Sequence, residues 1–185
     1  VLIPSTITEI CDYAFSGCSS LLNINIPVSV TSIGKYSFSM CSSLQDFVIP
    51  PSIKEIKGYA FIGCSMIKKI KIPASIKKIP EYLFAECQSL KEIVFPKSLT
   101  SIGDSAFHSC VSLESIELPL SLTTIHRLAF FNCKSIQRLK IPESIEEIGY
   151  GVFSECTSLF QVELPPTMET ITDTLFAGCS SLIEI

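Results

Sequence analysis

Apolar positions recur along this chain on a fixed period of 23 residues. One unit reads Leu21-Leu-Asn-Ile24-Asn-Ile26-Pro27-Val-Ser29-Val30-Thr-Ser-Ile33-Gly34-Lys-Tyr-Ser37-Phe38-Ser-Met-Cys41. The columns built on it are strict. The Leu21 column continues as Leu44, Ile67, Leu90, Leu113, Ile136, Leu159 and Leu182, and the Ile33 column is isoleucine in all eight copies. Eight prolines, eight phenylalanines and eight cysteines keep the same step. A fixed period of this length marks a stacked array, in which one unit cannot bury its apolar side and neighbours must close the core between them.

Within the unit, Leu21, Ile24 and Ile26 form L-x-x-L-x-L, whose last two members alternate as in a short strand with one face inward. Pro27 ends the strand, because it has no N–H for the next ladder bond and fixes its own φ. A short extended segment follows, with Ser29 ahead of Val30 and placed for a local turn. Ile33, Ser37, Phe38, Cys41 and Leu44 are spaced 4, 1, 3 and 3, which predicts one helical turn. Asp12, Asp104 and Asp173 stand where that turn begins and are expected to cap it.

These residues closely resemble the leucine-rich repeat of the BspA-like, or Treponema pallidum, type. Its pattern L-x-x-L-x-L-P-x-S-L-x-x-I-G-x-x-A-F-x-x-C-x-S is met with minor variation by every copy. Departures fall in the glycine column, at Cys11, Lys57, Pro80, His126 and Thr172, and in the alanine column, at Ser37, Leu83, Val152 and Leu175. They put local turn geometry in question, not the fold. The resemblance implies a right-handed, β-rich α/β superhelix. A parallel sheet of short strands lies on one face, and a short extended segment plus one helical turn per repeat on the other. It also implies surface or secreted proteins, often adhesins for host matrix proteins or cells.

The expected organisation is one repeat domain over 1–185, with eight repeats and no capping units. The chain starts inside a unit at Val1-Leu2-Ile3-Pro4 and stops inside another at Glu184-Ile185. A piece of a longer array is expected, or ends that meet in end-to-end self-association.

Composition changes this picture little. At 47% apolar and 17% charged residues the chain has material for a core, and no window is apolar enough to span a membrane, so no membrane insertion is expected in this segment. The net charge of −4 is unevenly spread: residues 54–97 carry nine of the fourteen basic residues, and 141–185 carry none. That drift fits a solvated surface, and it can also steer partners.

Nine cysteines invite a disulfide reading, but eight lie in one core column with parallel Cα–Cβ directions that suit the disulfide dihedral poorly. They are expected as reduced, buried thiols, and Cys11, in the glycine column, as the one reactive thiol. There is no C-x-x-C, and His108 and His126 stand apart, so no metal or other cofactor is expected. No charged residue breaks a core column and no glycine-rich phosphate loop is present, so the chain is not expected to be an enzyme.

The outward strand positions carry what varies. Lys68, Lys69 and Lys71 project from one strand with Lys91 on the next rung. Glu114 and Glu117 follow, then Arg138 and Lys140. These bands suit a protein or cell-surface macromolecule by complementary charge. The lysines suit an acidic protein or an acidic or sulfated glycan better than nucleic acid, because aromatics are not interleaved and the C-terminal units are acidic. Keeping an exposed sheet soluble is the plainer role for them. Tyr36 and Tyr59, in a column with Tyr13 and Tyr82, either grip a partner or lean on the edge of the solenoid. Together these features predict a non-enzymatic, surface or secreted adhesin-type interaction module. The alternative is an architectural spacer or intracellular scaffold.

Overall fold

The computed structural model describes residues 2–185. The repeats stack as rungs of a parallel β-solenoid, and each rung presents up to two short strands. The first ladder holds three-residue strands from the L-x-x-L-x-L segment: β4 (Lys69–Lys71) with β6 (Glu92–Val94), and β9 (Arg138–Lys140) with β11 (Gln161–Glu163). Isolated parallel bridges extend it at Leu2–Asn25, Glu92–Ser115 and Gln161–Glu184. The second ladder holds two-residue strands that end on the invariant isoleucine. β1 (Glu9–Ile10), β2 (Ser32–Ile33) and β3 (Glu55–Ile56) pair in order. So do β5 (Lys78–Ile79), β7 (Ser101–Ile102), β8 (Thr124–Ile125) and β10 (Glu147–Ile148).

The core is the set of columns read from the sequence. Phe38, Phe61, Phe84, Phe107, Phe130 and Phe153 are wholly buried. With Phe15 and Phe176 their rings stack rung upon rung, centroids 5.1 to 6.0 Å apart. The cysteines from Cys41 to Cys179 line the same core as free thiols. Each Sγ donates to the phenylalanine carbonyl 26 residues earlier, at 3.1 to 3.4 Å. Burial pushes the Cys41 thiol up to about 11 and the Cys156 thiol up to about 12. Cys18 departs from its column: in the first described rung it is exposed, as Cys11 is.

The helical turn expected in each repeat does not form, and among the described residues there is no helix. Alternate amides divide their bonds. Ala14, Ser16 and Cys18 donate three residues back, to Cys11, Tyr13 and Phe15. Tyr13, Phe15 and Gly17 donate forward to Lys35, Ser37 and Ser39 on the next rung, at 2.7 to 2.9 Å. A helix would keep all of these bonds within the segment; a run of tight turns exports every second one. The geometry requires a left-handed residue twice per rung. Tyr13, Tyr36, Tyr59, Tyr82, Ser105, Leu128, Gly151 and Thr174 hold φ between 51° and 62°. Four residues later, Gly17, Met40, Gly63, Glu86, Ser109, Asn132, Glu155 and Gly178 hold φ between 57° and 76°. An α-helix is closed to such residues.

The expected caps also act across rungs. Asp12 Oδ1 accepts the amide of Lys35 at 2.7 Å, and Asp104 pairs with Arg127 at 2.9 Å. Ser29, Ser52 and Ser121 donate to carbonyls 22 residues earlier rather than turning locally. Every rung is therefore tied to its neighbour by side chains that looked local in the sequence.

One step in the array is different. In the second ladder the residue after the isoleucine donates its amide to the preceding rung: Gly34 to Ile10, Lys57 to Ile33, Gly103 to Ile79, at 2.7 to 2.9 Å. Pro80 has no N–H to give, and β3 and β5 do not pair with each other. The first ladder is also interrupted between 45–48 and 69–71. Here the rungs are held chiefly on the turn side, by Tyr59, Phe61 and Gly63 donating to Glu81, Leu83 and Ala85. A shallow groove of about 500 Å³ opens over Pro80, lined by Lys78, Glu81, Asp104 and His126 among others.

Candidate interaction surface

The strand face is built by alternation. In β4, Ile70 is buried while Lys69 and Lys71 point to solvent, and β6 and β9 repeat the pattern with Ile93 and Leu139 inside. All eight charged residues expected at a binding surface are exposed: Lys68, Lys69, Lys71, Lys91, Glu114, Glu117, Arg138 and Lys140.

The structure brings them together more tightly than separate bands of charge. Parallel in-register pairing sets each strand residue beside the one 23 positions later. Lys69 Nζ lies 2.7 Å from Glu92, Lys91 Nζ 2.9 Å from Glu114, and Lys140 Nζ 2.8 Å from Glu163. Glu163 holds the Lys140 ammonium above its ordinary pKa. Arg138 spreads its guanidinium 5.1 Å over the Phe160 ring. Glu92, Glu163 and Phe160 complete this surface, and opposite charges one period apart were their signal in the sequence. Lys68 and Lys71 carry no ion pair among the described residues. Lys71 stands between Val48 and Val94 of the neighbouring rungs, both exposed. A shallow groove of about 250 Å³ separates Val94 and Glu92 from Ser115 and Glu117, where the ladder narrows to a single bridge.

Tyr36 and Tyr59 do not join this face. They belong to the turn side, half-buried, in a stack of four rings with centroids 4.6 to 5.0 Å apart. Lys35 Nζ lies 5.2 Å from the Tyr59 centroid. Burial first, then the neighbouring tyrosine and carboxylate groups, raise the Tyr59 hydroxyl pKa.

His108 is half-buried and stacks on Phe131 at 4.9 Å. Its burial lowers the imidazole pKa against the pull of Glu86. Among the described residues no group of three or more His, Cys, Asp or Glu is placed to hold a metal ion, and no helix is long and apolar enough to cross a membrane.

The profile of the BspA type leucine rich repeat region matches residues 1–111 and 77–185. Among solved structures, the chain is similar to the T. pallidum leucine rich repeat protein TpLRR, at 36% identity and a TM-score of 0.72 over 74% of this chain and 66% of that one. It is similar to a leucine rich cell surface protein of Faecalibacterium prausnitzii, at 26% identity and a TM-score of 0.69 over 99% of this chain and 65% of that one. The pneumococcal vaccine antigen PcpA shares the fold, at 22% identity and a TM-score of 0.61 over 95% of this chain and 58% of that one. This chain thus spans just under two thirds of the length of the first two. No curated protein matches it.

Proposed function

Because the chain belongs to the BspA-type leucine-rich repeat family, whose repeats serve as protein-interaction modules, we propose that it is a non-enzymatic, adhesin-type module of a surface or secreted protein. It binds host matrix or cell-surface macromolecules through the strand face. One observation carries this reading. The outward column Asn23, Asp46, Lys69, Glu92, Ser115, Arg138, Gln161 and Glu184 changes chemistry at nearly every rung, while Ile70, Ile93 and Leu139 beside it stay apolar and buried. A surface that varies over a constant core is how a solenoid writes recognition on an extended sheet. The surface placement leans on the similar F. prausnitzii protein, described as a cell surface protein.

Lys68 and Lys71 are the cations left for a partner, with Val48 and Val94 as apolar flanks. Lys69, Lys91 and Lys140 are already satisfied within the face. An acidic protein segment fits that combination, and an acidic or sulfated glycan would use the lysines alone. Tyr36 and Tyr59 form a lesser, separate contact region at the turn side.

The test is a binding screen against immobilised matrix proteins and sulfated glycans, with wild type beside the triple reversal Lys68→Glu, Lys69→Glu, Lys71→Glu. Loss of about tenfold or more in affinity, with steep salt dependence in the wild type, supports the strand face. Equal binding by both proteins refutes it. Absence of any ligand favours the rival reading, a spacer or scaffold, with which the internal Lys69–Glu92 and Lys91–Glu114 pairs are compatible.

A further inference from the structure

The second ladder has an outward face of its own, separated from the strand face by the proline corner. Two residues per rung point from it. In order along the array they are Thr8 and Glu9, Thr31 and Ser32, Lys54 and Glu55, Lys77 and Lys78, Thr100 and Ser101, Thr123 and Thr124, and Glu146 and Glu147; Glu169 and Thr170 continue the columns past β10, where no strand forms and Ile171 is exposed. The lysines and glutamates are exposed; the four hydroxyl residues of the two middle rungs are half-buried and make a level centre.

This face treats charge differently from the strand face. There, lysine and glutamate alternate between rungs and close ion pairs. Here like charges gather at each end of the β5–β7–β8–β10 sheet, Lys77 with Lys78 at β5 and Glu146 with Glu147 at β10. Among the described residues none of Lys54, Lys77, Lys78, Glu146, Glu147 or Glu169 has an ion pair. Like charges held side by side cost stability within one molecule. A groove of about 440 Å³, lined by Glu146, Glu147, Glu169 and Thr170, opens at the acidic end.

The order of these charges is antisymmetric about the gap between β7 and β8. Lys77 and Glu146 lie equally far on either side of it, in one column. Lys78 and Glu147 do the same in the next column, and Lys54 and Glu169 one rung further out. Thr100 answers Thr123, and Ser101 answers Thr124.

We propose that two copies of this chain pair face to face through the second ladder, antiparallel, about a two-fold axis that runs along the strands between β7 and β8. Rotation about that axis reverses the array and keeps each column in register. Lys77 and Lys78 of one copy then meet Glu146 and Glu147 of the other, and the reverse contact forms at the same time. Lys54 meets Glu169 at each margin. A closed isologous contact has this form: residue i meets j, and j meets i. The hydroxyl residues meet about the axis, Thr100 against Thr123 and Ser101 against Thr124. The two charged bands are three rungs apart, about 14 Å by ladder spacing. An unrelated partner would need the same order of charges at the same spacing; a second copy carries it by construction. The pairing leaves both strand faces open, so the dimer offers two binding surfaces in place of one.

Analytical ultracentrifugation at low and high salt tests this, with circular dichroism to verify folding. Wild type is expected to be a dimer at low salt and to dissociate as salt rises. Lys77→Glu with Lys78→Glu, or Glu146→Lys with Glu147→Lys, should each weaken self-association by about tenfold or more. An equimolar mixture of the two variants should regain the dimer, because every contact is then of opposite sign. The proposal is overturned by a wild type that stays monomeric at low salt, or by a dimer indifferent to both reversals. It is also overturned if folded variants fail to pair with each other. Growth beyond dimers with rising concentration would place the contact head to tail and overturn the two-fold arrangement.

Discussion

The thiol of Cys110 donates to the backbone carbonyl of Phe84, 26 residues earlier, at 3.1 Å. That carbonyl already accepts the amide of Cys87 at 3.2 Å, so the sulfur takes its second lone pair. The cysteine column is thus a line of donors stitching each rung to the one before, in a place too dry for a more polar group to sit at ease.

Cys110→Ala removes both the donor and the packed sulfur and is expected to destabilise the protein by about 1–3 kcal/mol. Urea denaturation measures this. On the native protein, iodoacetamide should label Cys11 and Cys18 quickly and the buried cysteines only on unfolding. Fast labelling of the whole set would contradict the packing seen here.

Stability should fall at alkaline pH. The buried thiols keep their protons in the folded state well above the ordinary value of 9.0, to about 11 at Cys41 and about 12 at Cys156. An unfolded chain releases them near 9. Below that pH both states hold the proton and the contribution is intact; as pH rises toward 12 only the unfolded state ionises, and the contribution is lost. Urea midpoints measured from neutral pH upward should decline, and the decline should be shallower in Cys156→Ala.

The left-handed columns predict opposite outcomes for two glycine exchanges. Glu86 is exposed with φ of 62°, in the column where Gly17, Gly63 and Gly178 stand. Glu86→Gly should gain about 0.5–1 kcal/mol, strain relief outweighing the added freedom of the unfolded chain. Gly17 holds φ of 73° with open space around it, so Gly17→Ala should lose about 1 kcal/mol through backbone strain alone. Thermal melts of the pair decide; equal shifts of one sign would refute the argument.

Pro80→Ala supplies an amide aimed at the Ile56 carbonyl. Hydrogen exchange over residues 77–81 should slow, while global stability moves by no more than about 1 kcal/mol, because the new bond is offset by a looser unfolded chain. An unprotected amide at position 80 would mean that the missing N–H is not what opens the ladder.

Much of this architecture was legible in the residues. The Phe, Cys and Ile columns fall in the core as their period required, except at the end rungs, where Cys18 and Ile171 are exposed, and Pro80 is one of five departures visible in the glycine column. The turn segment misled because the spacing of Ile33, Ser37, Phe38 and Cys41 is the same whether the intervening amides bond within the segment or across to the next rung. Side-chain pattern reports which residues are inside; it does not report where the N–H groups point. The left-handed positions were hidden for a related reason: tyrosine, leucine and serine stand there, and none advertises a positive φ as glycine does. On the strand face the banding of charge was visible, and its internal pairing needed only the in-register ladder.

The turn-side amides reach forward one rung and the serine and cysteine side chains reach back one, so each rung, the Pro80 step apart, presents its neighbours with nearly the same set of donors and acceptors. Recombination that duplicates or drops a whole unit therefore meets a matching partner at either junction, and only the outward columns register the change. Length and recognition can be inherited separately in such an array. The face of the second ladder is where they collide, since a copy with one unit gained or lost between Lys78 and Glu146 would no longer match the band spacing of a copy without the change.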